Sequence, residues 1–76
     1  MHAVCALYKF TRLDDFEDIQ LPLKSFLDSL SVKGTLLLAR EGINGTISGT
    51  KDRIEKVLDY LQSDDRFFEL EYKYSY

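Results

Sequence analysis

The sequence predicts an α+β fold of the ferredoxin-like type: a four-stranded antiparallel sheet with two helices on one face. Three observations carry this reading. Four short segments have the composition and alternation of strands, two others place apolar residues at helical spacing, and they follow one another as βαββαβ. Strand–helix–strand crossovers are right-handed in nearly all proteins, so both helices of such an order fall on the same side of one sheet. The 76 residues are expected to make one domain, 1–76, with a small core: a chain of this size buries roughly 60% of the surface it exposes when unfolded.

Ala3 to Phe10 reads as the first strand. Val4, Ala6, Tyr8 and Phe10 fall on one side, Ala3, Cys5, Leu7 and Lys9 on the other. Both sides are apolar until Lys9, which predicts a central strand. Its expected partner is the third strand, in a parallel pairing. Phe16, Ile19, Leu23, Phe26, Leu27 and Leu30 then recur at helical spacing. Pro22 interrupts them, and proline suits a first turn better than a helix interior. The expectation is an irregular segment over 15–21 and a firm helix from about Pro22 to Leu30, with Gly34 helping to end it.

Thr35 to Ala39 is the second strand, Arg40-Glu41-Gly42 a turn, and Ile43 to Ser48 the third strand, with Ile43 and Ile47 inward and Asn44, Thr46 and Ser48 outward. A rival hairpin turn at Asn44-Gly45 leaves too short a returning strand and ranks second. Ile54, Val57, Leu58 and Leu61 form a clean helical stripe, preceded by Thr50 as N-cap and Asp52 in the first turn. The last strand alternates Phe68, Leu70, Tyr72 and Tyr74 against Glu69, Glu71, Lys73 and Ser75. The predicted core is Tyr8, Phe26, Leu30, Ile47, Val57, Leu58, Leu61 and Leu70. The uncovered face is expected to show Cys5, Leu7, Lys9, Leu37, Asn44, Thr46 and the last strand's charges. Its surplus leucines, and a chain that stops inside a Tyr-rich strand, suggest part of a larger protein docked on another domain.

Composition narrows function. Ten basic against 13 acidic residues give a net charge of −3, a poor balance for a free-standing nucleic-acid binder, whose affinity comes largely from neutralising phosphates. One cysteine forms no internal disulfide. No apolar run approaches the ~18 residues of a membrane span, and the first residues lack the basic region of a secretory signal. A cytoplasmic location follows as the expectation, with no membrane partner.

Among motifs, His2 and Cys5 lack the further ligands of a zinc site, and nothing cationic stands near Cys5 in sequence to activate a thiol. No metal and no cofactor is expected. Asp14, Asp15, Glu17 and Asp18 lack calcium-loop spacing and read as decoration of a loop and helix start. Arg12 after the first strand and Asn44 on the third match residue types that small acylphosphatases use on this fold. Their loop, however, is glycine-rich and cradles phosphate on backbone amides. Here it is Phe10-Thr11-Arg12-Leu13-Asp14-Asp15, with two acids and no glycine, so acylphosphatase activity is not expected. The most distinctive stretch is Arg40-Glu41-Gly42-Ile43-Asn44-Gly45-Thr46. Its glycines permit positive φ and close backbone approach, and Arg40, Glu41, Asn44 and Thr46 would form a polar rim.

Ala6-Leu7-Tyr8-Lys9-Phe10 with Arg12-Leu13, Lys33-Gly34-Thr35-Leu36-Leu37-Leu38-Ala39 and Glu41-Gly42-Ile43-Asn44-Gly45-Thr46-Ile47-Ser48-Gly49 together resemble the amino-terminal domain of the rhodanese-related tRNA uridine hydroxylases. The resemblance covers nearly the whole chain, with Pro22 and the acids before it departing from the family's plainer helix. It implies an acylphosphatase-like domain followed, in a bacterial protein, by a rhodanese domain that holds the catalytic cysteine. The family is associated with oxygen-dependent hydroxylation of the wobble uridine of tRNA. Cys5 does not match the catalytic position, so no catalytic residue is assigned within these residues. The resemblance implies an accessory domain that places RNA or braces the rhodanese domain. Its candidate RNA or interdomain contacts are Lys9, Arg12, Lys33, Arg40, Glu41, Asn44 and Thr46. The alternatives are a purely structural docking module and an independent acylphosphatase-like domain.

Overall fold

A computed structural model describes residues 2–76. β1 (His2–Phe10) leads through a short loop to α1 (Phe16–Ser29), then β2 (Lys33–Ala39) and β3 (Gly42–Thr50) form a hairpin. α2 (Lys51–Gln62), a single 3-10 turn at Asp65–Phe67 and β4 (Glu71–Ser75) complete the order. The sheet runs β2-β3-β1-β4 with every pairing antiparallel. This is the ferredoxin-like βαββαβ arrangement, with β1 and β3 central.

The pairing of β1 with β3 is antiparallel, not parallel as expected. The reason is topological. The crossover through α1 makes β1 and β2 parallel, and β3 returns from β2 by a hairpin into the gap between them, so it opposes both.

The faces of β1 are also the reverse of the expectation. Ala3, Cys5 and Leu7 are buried, whereas Tyr8 is 45% and Phe10 78% exposed. Cross-strand neighbours share a face. Cys5 lies opposite Ile47 and Lys9 opposite Ile43, while Tyr8 lies opposite Asn44 and Ala6 opposite Thr46. The inward isoleucines of β3 therefore draw the smaller apolar set of β1 under the helices. Tyr8 drops out of the predicted core. Ile47, Val57, Leu58, Leu61 and Leu70 are buried as expected, and Phe26 and Leu30 pack against them partly buried. Leu13, Leu23, Ile43, Ile54 and Phe67 complete the layer between sheet and helices.

α1 is continuous from Phe16 and carries Pro22 in its interior. The proline removes the amide that would bond the Asp18 carbonyl, but both residues are exposed, so water can satisfy that oxygen. Ile19, Leu23, Phe26 and Leu27 hold the opposite side on the core, and Phe26 stacks on Tyr60 of α2 at 4.5 Å. The helix ends at Ser29, and two residues on Ser31 adopts a left-handed φ of 55° and donates its amide to the Asp28 carbonyl. Val32 donates back to Leu27 at 3.0 Å. Gly34, expected to end the helix, already lies in β2. β4 starts at Glu71 rather than Phe68; the 3-10 turn buries Phe67 and leaves Phe68 exposed. No helix among the described residues is long and apolar enough to cross a membrane.

Candidate functional site

The distinctive glycine-containing stretch builds one end of the sheet. Ala39 opposes Gly42, so Arg40 and Glu41 alone make the turn, and the rival turn at Asn44-Gly45 does not occur. Gly42 has φ of 142°, and a Cβ there would stand 2.0 Å from the Lys9 carbonyl oxygen. That contact is possible only for glycine. The turn lies against the loop after β1. The Thr11 amide donates to the Glu41 carbonyl and the Leu13 amide to the Arg40 carbonyl, each at 2.9 Å. The Arg12 Nε–H is shared between both carboxylate oxygens of Asp14, at 3.0 and 3.2 Å.

This geometry decides what the loop can do. A phosphate cradle needs free, convergent amides and an unengaged cation. Here two of the amides bond the hairpin and the arginine faces its own loop's carboxylate, in a loop that holds two acids. The arrangement anchors the hairpin and commits to it two of the amides that a phosphate cradle would use.

The second region is the open face of the sheet, opposite the helices. A shallow hollow of about 430 Å³ there is lined by Ala6, Tyr8, Asn44, Thr46, Glu71 and Lys73, among others. The Tyr8 hydroxyl donates to the Glu71 carboxylate across the β1–β4 pair. That bond, together with the carboxylate's charge, raises the Tyr8 pKa above the ordinary tyrosine value. Phe10 continues the aromatic row, its ring centre 5.9 Å from that of Tyr8. Leu37, opposite Asn44, is 59% exposed on the same face.

The residues predicted as contacts therefore divide. Arg12, Arg40 and Glu41 meet at the hairpin end. Asn44 and Thr46 lie on the open face. Lys9 is half-buried on the helix side, level with Ile43. Lys33 stands at the other end of β2, opposite Ser48. Tyr8 and Phe10 were missed on the open face, although the outward direction of Asn44 and Thr46 carries across the register to Tyr8 and Ala6; Glu71 and Lys73 were expected there among the last strand's charges, but not as contacts. Cys5 and Leu7, expected on this face, are buried at 0% and 2% exposure. Burial pushes the Cys5 thiol above its ordinary pKa, the opposite of what a nucleophile needs. Among the described residues no three of His, Cys, Asp and Glu form a group that could hold a metal ion.

The family described as the UPF0176 acylphosphatase like domain matches this chain over residues 2–76. A solved structure titled as that of a bacterial light-regulated adenylyl cyclase is similar with a TM-score of 0.73 at 17% identity, over 99% of this chain and 23% of that one. At that identity the likeness is one of fold alone. This chain spans about a quarter of that protein's length.

Proposed function

The chain belongs to the UPF0176 acylphosphatase-like domain family, the amino-terminal domain of the rhodanese-related tRNA uridine hydroxylases, and on that premise we propose that it is the accessory domain of such an enzyme, helping to place tRNA or to brace a rhodanese domain that follows it in the same chain. The chemistry, hydroxylation of a wobble uridine in a bacterial cytoplasm, would belong to that second domain. The observation that supports the accessory role is the loop after β1, where two amides bond Arg40 and Glu41 and the guanidinium faces Asp14, an arrangement unlike a free phosphate cradle. An independent acylphosphatase is correspondingly disfavoured.

Contacts to RNA phosphates would come from the cations around the hairpin end. Neutralising two of them should weaken binding by a modest factor at low salt and flatten its salt dependence. We therefore expect Lys9→Ala with Arg40→Ala, in the full-length protein, to lower tRNA affinity with little change in melting temperature. Equal affinity would leave only the bracing role. Cells without the gene, and without a second pathway, should lack the hydroxylated uridine; normal levels would overturn the assignment.

A further inference from the structure

We propose that the open face of the sheet is a stacking platform for unpaired RNA bases, with Tyr8 and Phe10 as the stacking rings and Asn44 and Thr46 as the groups that meet base edges. The proposal deepens the RNA-placing role above and rests on it.

Three observations point to this ligand. The first is the exposure of two aromatic rings on a central strand. A phenyl ring left 78% exposed forgoes burial that would stabilise the fold. Tyr8 and Phe10 stand two residues apart with ring centres 5.9 Å apart, so each can take a base of its own. Proteins that hold single-stranded nucleic acid commonly lay bases on aromatic rings of a sheet, because every base offers a π face.

The second is the polar lining. Beside the rings, the Asn44 amide and the Thr46 hydroxyl project from the adjacent central strand, both exposed. An amide offers two donors and one acceptor, which suits the edge of an unpaired base. The third is charge. Of the residues that the described strands direct to this face, Lys33 and Lys73 are cationic and Glu71 is the one carboxylate, in a chain of 13 acids and net charge −3. Glu71 is itself engaged by the Tyr8 hydroxyl. The acids otherwise lie on helices, loops and turns, so the open face is the side on which a polyanion meets least repulsion.

A protein partner seated on the same face is the competing occupant, and shape against π chemistry separates the two. The isotope-labelled chain is titrated with a short single-stranded oligouridylate, and amide shifts and affinity are read by NMR. We expect shifts at Tyr8, Phe10, Asn44 and Thr46. Phe10→Ala and Phe10→Leu should each weaken binding about tenfold, and Phe10→Tyr should restore it. The leucine keeps apolar bulk but has no π face, and Phe10 is exposed enough that none of these changes should alter the fold. The proposal falls if oligouridylate does not bind at millimolar concentration, or if shifts stay at Arg12 and Arg40. It also falls if Phe10→Leu binds like the parent, or if a separately expressed rhodanese domain, and not RNA, shifts the face. Loss of hydroxylated uridine in cells without the gene, alongside any of these failures, would sink the platform and leave the accessory assignment standing.

Discussion

Arg66 joins two segments that are far apart in sequence. Its guanidinium bonds Asp64, which caps the 3-10 turn, and Asp15, which precedes α1. Both carboxyls are held below the ordinary carboxylate pKa, mainly by their hydrogen bonds to this side chain. A carboxyl whose pKa is depressed on folding stabilises the fold above its unfolded pKa, about 4, and that contribution disappears as pH falls through the depressed value. Arg66→Gln should therefore melt lower than the parent at neutral pH, and the gap between the two should close below about pH 4. A gap that persists undiminished in acid would mean that Arg66 acts through packing instead. The acids at 14–18 had looked like simple decoration in the sequence. No local spacing reveals that Asp15 meets an arginine 51 positions later, whereas Asp14 beside Arg12 was open to view. Tyr8 was misplaced for a different reason. Both sides of β1 are apolar, so the larger set was taken as inward, and only the register against β3 decides between them.

At the scale of the element, α1 shows how far the apolar spacing could be trusted. Phe16, Ile19 and Leu23 already marked the first half of the helix, and Pro22 was given too much weight against them. A proline inside a helix costs about 3 kcal/mol, less the advantage it gains by restricting the unfolded chain. Because Pro22 sits on the exposed side, Pro22→Ala should restore the lost hydrogen bond without disturbing the core. The expected gain is about 2 kcal/mol, or roughly 10 °C in melting temperature for a domain of this size. An unchanged or lower melting temperature would show that the helix has already relaxed around the ring. α2 was legible almost to the residue, since its stripe contains neither proline nor glycine. The start of β4 was not: Phe68 and Leu70 continue an alternation that the 3-10 turn interrupts, and the burial of Phe67 that decides the matter is a tertiary effect.

For the whole molecule, stability rests on one layer of side chains between sheet and helices. Leu58 lies in it at 4% exposure, with Val57 and Leu61 beside it in sequence. Leu58→Ala should cost about 2–5 kcal/mol against the roughly 5–15 available to a small domain, and should leave much of the chain unfolded at 37 °C. Circular dichroism melting within a few degrees of the parent would contradict this. Element order and the right-handed crossover were enough to put the first strand inside the sheet beside the third, though not to give the direction of that pairing; the identity of the exposed aromatic row required the structure. β1 and β4 are neighbours, and Val4 lies opposite Ser75. The start of β1 and the end of β4 thus lie at the same end of the sheet. Whatever follows β4 in the chain therefore emerges beside the start of β1, at one end of the sheet.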